Sequence, residues 1–386
     1  MRYIFLVLSK LLIVGVIGAQ QITLTDNAVV SVLTVGPGNS LNDAFGHNAF
    51  RIKDNSIGID VTYGYGEYDF DAPNFYLKFA RGKLNYLISR HNYSDFYNHY
   101  AYYNRTVKEQ ILNFNQNEKQ ALFEYLENNY KPENRRYLYD FFYDNCATRI
   151  RDISQKVTNT KIEFKSPEDF TEKTFRDLIY EHVDKNTWGS FGIDLALGSI
   201  IDQNASPNEY MFLPKYIYSF FGNTDYNGTT SLVKTSKTLI QKKPEVSTSN
   251  FLLSPLFILS LLSLLIIYIT YKDYKSNTRN KILDTAIFVL TSVVGIVIFL
   301  LWFATDHSAT ANNYNLLWAF PLNLILVKQI INTKMKSWVK GYLKFLIIML
   351  SLMTLHWLIG VQVFAIGLIP ILIALLIRYT YLVKSF

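Results

Sequence analysis

The chain has 386 residues, 49% hydrophobic and 18% charged, with a formal net charge of +7. The basic excess belongs to the apolar tail: residues 250–386 carry eleven Lys and Arg against three acids, and the remainder nets −1. The polar part therefore has no basic character that would suit nucleic acid, and no nucleic-acid partner is expected. Cys146 is the only cysteine, which excludes a disulfide scaffold and a cysteine-ligated metal site. No dinucleotide or P-loop motif occurs, so neither a cofactor nor a metal is expected.

Residues 1–19 start with Arg2, run apolar and end in Gly18-Ala19, the outline of a secretory signal peptide. Lys10 and Ile17 depart from that outline and leave an uncleaved anchor as the alternative; either way the following domain leaves the cytoplasm. Residues 20–245, rich in Tyr, Phe and Asn, are long enough to bury one core. Residues 29–35 (VVSVLTV) read as a buried strand and 36–46 as a loop of turn formers. Residues 47–53 read as a strand with His47, Ala49, Arg51 and Lys53 on one face. A turn at 54–58 and a second strand at 59–65 complete a hairpin. Residues 74–103 read as helical in part and 105–113 as a strand. Residues 116–129 read as a helix with Ala121, Leu122, Tyr125 and Leu126 on one side, ending before Pro132. Residues 146–157 form a short helix, and 223–249 read as a linker.

Membrane-spanning helices need roughly 20 mostly apolar residues. Candidate spans fall at 251–271, 283–304, 314–330, 342–359 and 361–378, which makes 246–386 a membrane domain of about five helices. The third is interrupted by Pro321 and Asn323, and only Gly360 separates the last two. With the soluble domain outside, the connections at 272–282 and 331–341 and the C-terminus are cytoplasmic. The basic residues then lie on or near that side, as the positive-inside rule requires, and the outer loop 305–313 has none. Asp306, His307, Asn312, Asn313 and Asn315 gather on and beside this loop, near Trp302 and Trp318. They read either as a solvated loop with an aromatic belt or as a polar site for a lipid headgroup or substrate. His356, inside a span, is a functional candidate or interfacial packing.

Cys146 stands in the stretch Tyr143-Asp144-Asn145-Cys146-Ala147-Thr148-Arg149. Asp144 or Asn145 can cap a helix beginning near the cysteine. A thiol at a helix N-terminus is acidified by the dipole and by free backbone N–H groups, and the same N–H groups can serve as an oxyanion hole. Cys146 is thus a candidate nucleophile; the alternative is a buried, inert thiol. A cysteine nucleophile needs a base, usually histidine. Among His47, His91, His99 and His182, His47 is preferred because it follows a glycine at the opening of a strand. The third member would be Asp60, on the paired strand, with Asp69 and Asn42 left open.

Several stretches then match a known family: Gly36-Pro37-Gly38 with Phe45-Gly46-His47-Asn48-Ala49-Phe50-Arg51, Tyr68 to Phe79, Pro132 to Tyr137, and Asp144 to Asp152. Phe191 to Gly198, Met211 to Pro214, and Asp306 to Trp318 follow. In these the chain resembles the family with an Lnb-type N-terminal periplasmic domain followed by a membrane domain. The resemblance implies an α+β permuted papain-like thiol domain, its histidine strand preceding its cysteine helix, followed by an all-α polytopic membrane domain. It implies the inner membrane of a Gram-negative cell with the soluble domain in the periplasm. The implied activity is lipoprotein N-acylation. An acyl chain moves from a phospholipid donor, through a Cys146 thioester, to the α-amine of a diacylglyceryl-cysteine lipoprotein, with His47 as base. Arg51, Lys78, Arg81 and Arg149 are candidates to hold phosphate, and Asn145, Asp306, His307, Asn313 and Asn315 to contact substrate. Where the resemblance implies an asparagine near the second strand, this chain has Gly64. An envelope cysteine peptidase or amidase, and a non-enzymatic membrane receptor or scaffold, are the competing readings.

Overall fold

The computed structural model describes residues 22–158, 162–226, 228, 230–245, 250–332 and 336–385. The segment read as a signal peptide lies outside them. The strands predicted at 29–35, 47–53, 59–65 and 105–113 and the helices at 116–129 and 146–157 are all found within three residues of those bounds. Val29–Val35 (β1) pairs antiparallel with His47–Asp54 (β2), running from Val29 opposite Lys53 to Val35 opposite His47. β2 turns back into Ile59–Tyr68 (β3) through Gly58, whose φ of 70° suits glycine. There follow Phe75–Ala80 (α1), Asn85–Asn92 (β4), Tyr93–Tyr102 (α2), Val107–Leu112 (β5) and Gln116–Tyr130 (α3). An Asn115/Glu118 capping box starts α3, and Leu122, Phe123 and Leu126 bury one face of it. Arg136–Leu138 (β6) and Cys146–Val157 (α4) come next. The short helices Phe175–Tyr180 (α5), Trp188–Ala196 (α6), Pro207–Tyr210 (α7) and Pro214–Asn223 (α8) complete the helical part of this domain, and Asp225–Tyr226 (β7) and Thr230–Ser231 (β8) form a small ribbon.

Val233–Ile240 (β9) corrects the linker reading. It pairs along β5 and closes a seven-stranded sheet of order β6-β4-β3-β2-β1-β5-β9. Its polar sequence hid it, because an edge strand exposed to water need not be apolar. The sheet is covered on both faces. Phe50, Ile52, Val30 and Val32 meet α3, α4 and α8 in the main core, while Leu33, Val35, Ala49 and Val107 meet Phe96 of α2. The first unit is therefore an α/β domain built on a sheet, and a helical region follows it.

In that region Pro255–Ser276 (α9), Lys281–Phe303 (α10) and Trp338–Leu358 (α12) are long and apolar enough to cross a membrane. The other two predicted spans differ. Around Pro321 the third becomes a 3-10 turn at Tyr314–Leu317 and the nine-residue helix Asn323–Ile331 (α11). Proline removes a helical donor and crowds the preceding turn, and Gly295 of α10 lets the broken backbone approach closely, since a Cβ there would lie 2.0 Å from the Ala319 carbonyl oxygen. The fifth starts at Leu368 rather than 361 and runs to Lys384 (α13). Arg378 of α13 is fully buried and holds Asp284 at 2.7 Å and Asp273 at 2.8 Å, which ties α13 to α10 and α9.

The two regions are docked through the C-terminal end of α6. The last carbonyls of a helix have no partner within it. Here Asn315 donates to the Asp194 carbonyl (2.8 Å), and Asn313 to those of Leu195 (2.8 Å) and Ala196 (3.1 Å). Just beyond, Gly198 N–H donates to Ala309 O and Ser199 N–H to Asn312 O.

Candidate active site

Cys146 is the first residue of α4, and the local sequence dictates that start. Asn145 Oδ1 accepts from the N–H groups of Ala147 (2.7 Å) and Thr148 (3.0 Å), and Thr148 Oγ1 accepts from Asn145 N–H. Asn145 Nδ2 donates to the carbonyls of Phe141 and Phe212, which fixes the approach to the helix. Asn145 is thus a buried cap, and the structure does not present its side chain to a substrate. The sulfur faces the backbone N–H groups of Asn48, Cys146 and Ala147, two from the helix start and one from β2.

His47 opens β2. Gly46 before it has φ 85° and passes so close to β1 that a Cβ would lie 2.5 Å from Val35 O, so glycine is required there. The Nε2 edge of the imidazole lies over Gly64 of β3, where a Cβ would sit 2.9 Å from Nε2. Glycine at the position of the implied asparagine leaves room for the ring. Ser89 Oγ, on β4, borders the same space and donates to Gly64 O. Arg105 lies nearby and buried. It donates to Gly36 O through Nε (3.0 Å) and Nη2 (2.9 Å) and to Asp43 Oδ1.

Cys146 and His47 are both half-buried and share one cavity of about 770 Å3. Its walls set their ionisation. Loss of water pushes the Cys146 thiol up to about 11 against the three facing amides and the Arg105 charge, both of which favour thiolate. The same burial, with the Arg105 charge, brings the His47 imidazole down to about 4, and Asp43 opposes this weakly. Burial thus favours the uncharged form of both groups.

Strand order divides the cavity wall. Towards β4 and β6 it is aromatic, with Tyr65, Tyr68, Tyr86 and Tyr139; Tyr86 and Tyr139 stack at 4.3 Å. Towards the β1–β2 loop it is mixed, with Leu41, Phe45 and Ile179 beside the Trp188, Ile193 and Ala196 face of α6. Of these walls, Tyr68 and the Gly192, Ile193 and Ala196 face lie in stretches that matched the family, whereas Arg105 and Tyr139 carried no local signal. The third wall is the outer loop of the helical region, from Asp306 to Thr310. Asp306 pairs with Lys83 (3.4 Å), His307 Nε2 lies 3.2 Å from Phe79 O, and Ser308 Oγ donates to Asp140 Oδ2.

The structure separates the other predicted residues from this cavity. Asp60 makes a two-point ion pair with Arg51, through Nε (2.8 Å) and Nη2 (2.7 Å), and its register partner is Lys53. Lys53 is six residues along β2 from His47, about 20 Å at the rise of a strand, so Asp60 does not orient the imidazole. Arg51 is buried between Asp60, Glu109 (3.1 Å) and the Tyr93 ring and has no access to substrate. Arg149 is held by Asp144 and lies 4.4 Å over the Tyr137 ring, outside the cavity lining. Asn313 and Asn315 are fully buried with their amides engaged in the dock. Asp306 and His307 do line the cavity. Of the other histidines, His182 is tied to Ala44 O and His91 to Glu67. Asp69 pairs with Arg136, whereas Asn42 lines the cavity.

Two family models match the chain. The Lnb N-terminal periplasmic domain covers residues 19–180, and the Lnb transmembrane domain covers 246–385. No curated protein and no solved structure gives a match.

Proposed function

The chain belongs to the Lnb family of lipoprotein-processing membrane proteins with a periplasmic N-terminal domain, and from that premise we propose that it is a lipoprotein N-acyltransferase working through Cys146. The observation that carries the reading is the lone thiol itself. It stands at a helix start under three backbone N–H groups, and it shares with His47 an apolar cavity walled partly by the membrane region.

The chemistry follows from that arrangement. Cys146 Sγ attacks an ester carbonyl of a phospholipid as His47 takes the thiol proton. Because burial favours the uncharged form of both groups, the proton moves as the S–C bond forms and no ion pair stands ready beforehand. Backbone N–H groups at the head of α4 stabilise the tetrahedral oxyanion. The ester C–O bond breaks, His47 returns the proton to the leaving lysophospholipid oxygen, and an S-acyl enzyme remains. The α-amine of a diacylglyceryl-cysteine lipoprotein then attacks the thioester. His47 accepts a proton from the amine, the C–S bond breaks, and the thiol is restored with an amide as product. Apolar walls suit acyl chains better than a water-soluble peptide. The basic excess of the tail supports a cytoplasmic C-terminus, and with the protein in the inner membrane both anchored substrates would meet beside the thiol.

Intact mass spectrometry of the purified protein tests this. A fatty-acyl increment removed by neutral hydroxylamine and missing in Cys146→Ala is expected. No adduct after incubation with phospholipid in amine-free buffer would overturn the proposal.

A further inference from the structure

Exposed apolar side chains of the periplasmic domain concentrate on one short stretch. Phe70 is 73% exposed, Tyr76 83%, Leu77 58% and Phe79 47%. Phe70, Phe75 and Phe79 stack into a plate, with centroids 5.0 and 6.5 Å apart. A contiguous apolar surface of this kind on a water-facing domain marks a contact. Its location identifies the contact. Asp306 N–H donates to Arg81 O (2.9 Å), His307 meets Phe79 O, and Gly82 (φ 67°) lets the two backbones close to 3.0 Å from where a Cβ would stand. The plate is therefore pinned to the outer loop that follows α10. Across the cavity, Trp188 Nε1 donates to Leu253 O (2.9 Å), and Leu256 N–H donates to Asn186 Oδ1 (3.1 Å). There Phe251, Leu252 and Leu253, all more than half exposed, lead directly into α9. Phe79 and Trp188 also line the cavity. Two exposed apolar rims, each tied to the outer end of a membrane-spanning helix, thus flank one mouth.

We propose that this mouth opens sideways into the outer leaflet, with the 70–79 plate and the 251–253 turn immersed at the boundary of headgroups and acyl chains. Continuity with the spans sets the depth, and the plate segment carries Lys78 and Arg81, cations suited to the headgroup layer. Lipid chains then pass from the bilayer to Cys146 without crossing water. The immersion stands on geometry alone; what passes through the mouth rests on the acyl-transfer reading.

The test uses full-length protein in phospholipid vesicles. With Cys146→Ser in place, a single bimane-labelled cysteine is introduced at Tyr76→Cys or Leu77→Cys, or at Asn55→Cys in the β2–β3 turn at the opposite end of the sheet. Lipids carrying a nitroxide high on the acyl chain should quench labels 76 and 77 at least about twofold more than label 55. Equal quenching overturns the immersion. In the protein with Cys146 intact, Tyr76→Asp combined with Leu77→Asp should lower S-acylation from vesicle phospholipid about tenfold or more. Acylation by a water-soluble short-chain thioester should be unchanged. An equal fall for both donors overturns the sideways entry. A wild-type protein that takes no acyl group from any donor refutes the transferase reading instead and leaves the quenching result to decide the immersion separately.

Discussion

If Cys146 rests as a neutral thiol, its reaction with iodoacetamide has a defined pH profile. The thiolate is the reacting form. Moving the thiol from 9.0 to about 11 leaves about a hundredfold less thiolate at neutral pH, since each unit is a factor of ten. Burial brings His47 down to about 4 and so disfavours an imidazolium that could hold a thiolate. Alkylation of the folded chain should therefore rise about tenfold per pH unit from about 7 to 10, without a plateau. The same chain unfolded in guanidinium should bend towards its plateau about two units earlier. Only one cysteine exists, so intact mass counts the adduct without ambiguity. The slope is the decisive quantity, because restricted access lowers the rate equally at every pH. Rapid alkylation already level between pH 5 and 8 would reveal a thiolate–imidazolium pair and refute the reasoning. The sign for turnover follows: with neutral His47 as base, activity is retained above its folded value and lost as pH falls through about 4.

Gly64→Ala puts a methyl 2.9 Å from His47 Nε2 and displaces the ring. S-acylation should fall about a hundredfold with the melting temperature little changed. Asp60→Asn weakens only the pair with Arg51. It should cost about 1–3 kcal/mol of stability in thermal unfolding and leave the acylation rate intact; a collapse of that rate would restore Asp60 to the catalytic set. Asn315→Ala removes the donor to the Asp194 carbonyl and the acceptor of the Trp318 N–H. The full chain in detergent should lose about 1–3 kcal/mol, read as a lower unfolding temperature.

Where an element announces itself locally, the sequence was sufficient. The alternation through β1 to β3, the glycine before His47 and the Asn145 cap each act within a few residues, and they sufficed to pick out two residues that line one cavity, Cys146 and His47. Relations across the sheet were not legible. Asp60 does lie on the strand paired with that of His47, but register places it at the far end, and no feature of the hairpin alone shows which end a histidine will use. Arg51 and Arg149 looked like free cations, yet Asp60 across the hairpin and Asp144 five residues upstream hold them, and Glu109 and the Tyr137 ring add contacts from other elements. Asn313 and Asn315 looked like a polar site for the same reason. Their partners are carbonyls of α6, more than a hundred residues away, and an unpaired carbonyl at a helix end leaves no mark in composition.

One span would anchor a periplasmic domain, so the extended dock asks for a different account. Residues 306–310 supply one wall of the cavity, and Ala309 is part of the periplasmic domain's own core. The membrane region therefore completes the site as well as tethering it. Gly198 is the sharpest probe of this arrangement. Its φ of −88° is open to any residue, so glycine is not needed for backbone conformation. A Cβ there would stand 1.9 Å from Ala311 O and 2.8 Å from its carbonyl carbon, both on the facing loop. Backbone cannot yield as a flexible side chain can, so Gly198→Ala must push the outer loop away from the domain. If that loop only anchors, the variant should acylate Cys146 normally. If it closes the cavity, S-acylation from phospholipid should drop at least tenfold. Because the sheet and α4 lie away from the substitution, iodoacetamide should then reach Cys146 faster than in the wild-type chain while the pH slope stays the same. Unchanged acylation would show that the wall formed by 306–310 is dispensable and that the thiol needs only the α/β domain.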